Sequence, residues 1–166
     1  YGIVPSRLPQ EVVDFDIATI EKLGVTFKFN ETIDAARLEE LKAEYDAVFV
    51  GTGLWKSKVI DIPGKDLDGV VSAIDFLKDA RLNKENMTLG DTVLVIGGGD
   101  VAMDCVTTAK QLGAKATIVY RRTIEEAPAD IDEVMAVQSM GIPIIQEFAP
   151  VPYTHLRAHE TGAYLV

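Results

Sequence analysis

Apolar positions recur along this chain with two periods, one helical and one strand-like, and the alternation becomes regular only after residue 90. In "RLPQEVVDFDIATIEKLG", Val13, Ile17 and Ile20 fall on one face of a helix. Pro9 stands where a first helical turn tolerates proline, and Gly24 suits the stop. "VTFKF" predicts a strand, and "DAARLEELKAE" a short helix with Leu38 and Leu41 inward. Ala47 to Val50 of "YDAVFVGTG" form a compact apolar strand running into a Gly-Thr-Gly turn. "IPG" at Ile62 to Gly64 predicts a turn. Ser72, with Asp75 three residues on, is a capping-box-like helix start.

From Asp91 the order is clearer. "TVLVIG" is a continuous apolar run, as in a strand covered on both faces. A helix follows from about Asp100 to Leu112, ending at Gly113. "ATIVY" is the next strand, "ADIDEVMAVQSM" a helix ending at Gly141, and "IPIIQEF" a third strand. Strand, helix, strand, helix, strand is one mononucleotide-binding half of a Rossmann-like, doubly wound parallel sheet of α/β class.

Composition narrows the partners. The chain has 166 residues, 48% hydrophobic and 25% charged, with a formal net charge of −10. No basic cluster stands out, so neither nucleic acid nor an anionic membrane surface is expected as a main partner. No apolar run approaches the ~18 residues of a membrane span. One cysteine, Cys105, excludes an intrachain disulfide, a CxxC pair and an iron–sulfur site built by these residues alone. It is read as a small buried apolar residue. A reducing, cytoplasmic setting fits.

The candidate chemistry lies in Gly97-Gly98-Gly99-Asp100-Val101-Ala102, which matches G-x-G-x-x-G/A between a strand and a helix. Gly97 permits the tight turn, Gly99 lets the backbone approach a pyrophosphate, and Ala102 lets the helix pack on the strand. The phosphates are expected on the N–H groups and the positive end of that helix. Asp100 is read as an N-cap whose backbone N–H still serves the phosphates. Asp104, one turn further in, is a candidate for the nicotinamide ribose, with a structural role equally open. An NAD site carries an acidic residue at the end of the second strand, ~20 residues beyond the fingerprint. Here the sequence reads Tyr120-Arg121-Arg122. Two guanidinium groups there fork onto a 2′-phosphate, so the expected cofactor is NADPH.

The tail fits nothing before it. Tyr153 to Thr161, "YTHLRAHET", resembles the conceptual translation of a transposase-type sequencing adaptor, with Pro152 where that read-through has Ser. Residues 151–166 are therefore expected to be non-native and are excluded from the fold. His155 and His159, the only two histidines, have helical spacing, but no nearby motif completes a metal site. No metal site is expected.

"YGIVPSRLPQEVVDFDIATIEKLGVTF", "YDAVFVGTG", "IPG", "GGGDVAMD" and "VYRRTIEEAPA" occur in this order. Together they resemble the FAD- and NADPH-binding module of the glutamate synthase small subunit and the N-terminal part of dihydropyrimidine dehydrogenase, over about residues 1–150. Adrenodoxin reductase is a more distant likeness. The resemblance implies a partial FAD-binding segment at 1–90 and a partial NADPH domain at 91–150. It implies that Arg7 of "SRLP" reaches the flavin, with Ser6 departing from the more frequent Phe. It implies that Ile33 gives a backbone contact to the adenine, and that Gly51, Thr52 and Gly53 close on the flavin dinucleotide. Hydride transfer from NADPH to FAD follows, with electrons passing to iron–sulfur clusters in a missing segment, or to an electron-accepting subunit or fused domain. The first FAD fingerprint, the return of the FAD domain and a cysteine-rich segment have no counterpart in these residues. The chain is thus expected to be a fragment, without catalysis alone. No side chain reads as a catalytic acid, base or nucleophile. A thioredoxin-reductase-like enzyme needs a dithiol before the NADPH strand, where "RLNKENMTLGDT" has no Cys. A non-catalytic nucleotide-sensing module needs neither "SRLP" nor the Gly-Thr-Gly turn.

Overall fold

Three short polar residues stand just ahead of apolar-periodic runs, and each caps a helix. The computed structural model describes residues 2–57, 60–149 and 162–165. It divides into two compact units, Leu8–Trp55 on one side and Tyr1–Arg7 with Lys56–Val166 on the other.

The smaller unit holds helices α1 (Gln10–Lys22) and α2 (Ala35–Glu44). Pro9 occupies the N-cap of α1, and Gly24 closes the helix at φ +88°. The Asp34 carboxylate caps α2 by accepting from the Arg37 N–H at 2.8 Å. Arg37 then pairs with Glu31 at 2.7 Å and with Glu40 at 3.0 Å. Leu38 and Leu41 are half-buried. On the shared face of α1, Val13 is half-buried while Ile17 and Ile20 are exposed. The strands expected at "VTFKF" and Ala47–Val50 are not formed. An extended run becomes a strand only when a neighbour supplies its ladder hydrogen bonds, and no described residue does so. Phe27 and Phe29 stack with ring centroids 5.8 Å apart, while Phe49 is 95% exposed.

The larger unit contains β1 (Val70–Val71), α3 (Ala73–Leu82), β2 (Thr92–Ile96), α4 (Asp100–Gln111), β3 (Lys115–Val119), α5 (Ile131–Ser139), β4 (Ile144–Ile145) and β5 (Gly162–Leu165). The strands form one sheet in the order β1-β5-β2-β3-β4, every pair parallel. β2, β3 and β4 are successive neighbours joined by α4 and α5, the half-Rossmann order read from the sequence. Register runs from Thr92↔Lys115 to Ile96↔Val119. Val93, Val95, Ala116 and Ile118 point into the core, where Met103, Cys105, Val106 and Val137 meet them. Alternate residues of β2 and β3 are half-buried or exposed, so these strands are fully covered on one face only.

Ser72 caps α3, its hydroxyl accepting from the Asp75 N–H and donating to the Asp75 carboxylate. Asp130 caps α5 through the Asp132 N–H. α4 and α5 end alike: Ala114 N–H donates to Ala109 O and Ile142 N–H to Val137 O, with Gly113 and Gly141 at positive φ between.

Phe76 and Leu77 of α3 pack into the core of the nucleotide half, so residues 56–90 group with residues 91–149 rather than with 8–55. The tail, excluded from the fold above, contributes β5, which pairs Gly162–Leu165 with Thr92–Val95 on one side and Val70–Val71 on the other. Without β5 that side of β2 would be a sheet edge, and pairing there needs only extended backbone. His155 and His159 lie outside the described residues.

Candidate functional site

The glycine turn is built by three different constraints. Gly97 leaves β2 with its N–H on Val119 O at 3.1 Å and φ at +148°, a region L side chains rarely adopt. A Cβ there would sit 3.4 Å from the Ala102 methyl, so residues 97 and 102 are small for a common reason. At Gly98 a Cβ would lie 2.5 to 2.7 Å from the Tyr120 ring, closer than atoms pack. At Gly99 the nearest atom would be Pro128 Cγ at 3.9 Å, so the protein leaves that face open.

Gly99, not Asp100, is the N-cap of α4. Its carbonyl accepts from Ala102 and Met103. Asp100 is therefore the first helical residue, too late to cap its own helix, and its carboxylate instead accepts from the Asp130 N–H of α5 at 2.8 Å. The N–H groups of Asp100 and Val101 have no acceptor among the described residues, and both residues are exposed. Free first-turn N–H groups beside an open glycine backbone fit an anion.

The parallel register places the end of β3 beside this turn, because Val119 pairs with Ile96. Tyr120 follows, buried over Gly98, its hydroxyl donating to Glu126 O at 3.3 Å. Arg121 and Arg122 come next, both exposed and neither in an ion pair among the described residues. The chain beyond them is tied down: Gln146 accepts from the Ile124 N–H at 2.7 Å, and the Ala129 N–H donates to Gly98 O at 3.1 Å.

Asp104 and Arg7, read separately above, meet. Arg7 Nε donates to Asp104 Oδ1 at 2.7 Å, and Nη1 lies 2.6 Å from Glu133 Oε1 of α5. Burial lifts the Asp104 carboxyl above its ordinary pKa, and the hydrogen bond from Arg7 opposes that lift without cancelling it. The Arg7 guanidinium is held more firmly protonated by the hydrogen bond to Asp104. In the other unit, Ile33 precedes the cap of α2 and is half exposed. Gly51 lies under the Phe49 ring, Gly53 has φ +73°, and the Trp55 indole N–H donates to Thr52 O at 2.7 Å.

Residues 10–147 match the family model "Pyridine nucleotide-disulphide oxidoreductase". The chain belongs to this family. Within it, the chain is 43% identical to the NAD-dependent dihydropyrimidine dehydrogenase subunit PreT of Escherichia coli strain K12, over 90% of this chain and 36% of that protein. It is 36% identical to the NADP(+)-dependent formate dehydrogenase subunit beta of Moorella thermoacetica, covering 85% and 20%. It is 34% identical to the glutamate synthase [NADPH] small chain of Azospirillum brasilense, covering 93% and 35%. The chain thus spans about a third or less of these relatives. A solved 2-naphthoyl-CoA reductase complex superposes with a TM-score of 0.67 at 21% identity, over 86% of this chain and 21% of that one, and shares the fold.

Cys105, the one cysteine of the sequence, is buried, its thiol pushed up in pKa by desolvation. Among the described residues no acid, His or Cys cluster suits a metal, and no helix is long and apolar enough to cross a membrane. Sequence reading missed Tyr120 as the reason residue 98 is glycine, and Glu133 as the second partner of Arg7. Tyr120 had a usable signal, a large ring directly ahead of the arginine pair. Glu133 had none, because its partner lies far away in sequence.

Proposed function

We propose that this chain carries the pyridine-nucleotide site, and part of the flavin site, of an FAD-dependent NADPH oxidoreductase. The observation that carries the reading is the register of β2 and β3, which sets the glycine turn of Gly97 to Ala102 beside Arg121 and Arg122. The N–H groups of Asp100 and Val101 would receive the pyrophosphate, and the two arginines the 2′-phosphate. Tyr120 keeps that turn in place, and the Ala129 hydrogen bond closes the following loop on it. Ile33 and Gly51, Thr52 and Gly53 are proposed to line the flavin dinucleotide. When bound, the two cofactors supply hydride transfer from NADPH to FAD, with onward electron transfer to iron–sulfur clusters or a partner subunit. The protein's share is binding, orientation and charge placement. A subunit partner is in keeping with relatives named as subunits, and a cytoplasmic setting with a single cysteine.

The test is anaerobic mixing of the full-length protein with nucleotide. The expected result is a yellow protein whose flavin absorbance bleaches faster with NADPH than with NADH. A stable, colourless protein that still binds nucleotide would instead make it a sensor. A second reading, NADH as donor, draws on the NAD-dependent relative at 43% identity. Faster bleaching by NADH would establish it.

A further inference from the structure

Arg7 is the cation at a junction otherwise made of carboxylates. Asp104 and Glu133 lie in the opening turns of α4 and α5, the two helices whose N-terminal ends meet at the glycine turn and its following loop. Asp100 adds further negative charge felt by Arg7, and Asp130 and Asp132 open α5. The Asp104 side chain is only 14% exposed and Glu133 29%, so water screens neither fully. The guanidinium is brought to them by a pinned segment. Val4 is buried in the core, the Arg7 N–H donates to Val4 O at 3.0 Å, and Arg81 donates to Ile3 O at 2.6 Å.

We propose that Arg7 is a positioning residue for the nucleotide turn, a clasp that fixes the spacing of α4 and α5 and offsets part of the negative charge of Asp104 and Glu133. Without the cation, the two carboxylates repel one another across the helix pair and oppose an anion arriving at the open N–H groups of Asp100 and Val101. The planar fork of arginine suits this task because one group serves two acceptors at once. This role rests on the nucleotide reading above and differs from a direct flavin contact. In the observed geometry the guanidinium already serves two carboxylates.

The test is equilibrium binding of NADPH and NADH to the full-length protein in four forms: wild type, Arg7→Gln, Asp104→Asn/Glu133→Gln, and the triple variant. Arg7→Gln should weaken both nucleotides alike, by about five-fold, because the lost interaction concerns the shared pyrophosphate end. Their ratio should not move. In the background lacking both carboxylates, adding Arg7→Gln should change binding less than about two-fold, the behaviour of a coupled set in a double-mutant cycle. Equal losses in both backgrounds, or no loss in either, would overturn the clasp. If Arg7→Gln alone does not fold, a loss of more than about two-fold between the other two variants would still overturn the clasp. A wild-type protein that binds neither nucleotide would instead remove the nucleotide reading, and the clasp with it.

Discussion

A methyl group at residue 98 would lie 2.5 Å from Tyr120 Cε2, and the ring has little freedom to retreat. Its hydroxyl is held by Glu126 O and its backbone N–H by Ile145 O. Gly98→Ala should therefore cost about 1–3 kcal/mol, the usual cost of overpacking, read as a lower denaturant midpoint at unchanged slope. A smaller side chain at residue 120 should recover part of that loss. Asp104 offers a second test at this scale. Its folded pKa is raised above the ordinary 3.8, so the folded state holds that proton more tightly than the unfolded chain. The resulting stability is fully present below the unfolded value and is lost as pH rises through the folded one. The difference in Tm between wild type and Asp104→Asn should shift against wild type as pH rises from below about 4 towards neutrality. A difference independent of pH would contradict the burial of Asp104. The motif residues themselves were legible in the sequence, because the fingerprint is local. Their partners were less so: Arg7 and Asp104 are 97 residues apart, and no periodicity connects them.

Helices α4 and α5 followed their patterns closely, since each carries a buried stripe, a capping region and a glycine stop within its own sequence. Val137 is 1% exposed and Met135 is 59% exposed on the same helix. Val137→Ala should cost roughly 1–3 kcal/mol, and Met135→Ala less than about 0.5 kcal/mol. Chemical denaturation of the pair checks the helix face. Strands were less legible. β2 and β3 formed because each is the other's partner in perfect register. "VTFKF" and Ala47–Val50 have the same apolar character without a ladder, since strand formation depends on a second segment that local sequence does not reveal. Asp100 shows the same limit on a smaller scale. It has the composition of an N-cap, but the extended backbone at Gly99 takes that position and frees the carboxylate for α5.

At the level of the molecule, the two units differ in how their backbones are satisfied. In this 166-residue chain, hydrogen exchange should be slow at Val93–Ile96 and Ala116–Val119 and fast at residues 25–29 and 47–50. Strong protection at residues 25–29 would show a ladder that the described residues do not contain. The larger unit brings together a glycine turn, first-turn N–H groups that have no acceptor among the described residues, and, one strand away, two guanidinium groups that have no ion pair among them. The most direct measurement is the ratio of NADPH to NADH affinity in the full-length protein, before and after combined Arg121→Ala and Arg122→Ala. The predicted result is a preference for NADPH that falls by roughly 10- to 100-fold, as expected for losing charge-assisted hydrogen bonds to a phosphate. A ratio that does not change would contradict the assignment of the 2′-phosphate to the end of β3.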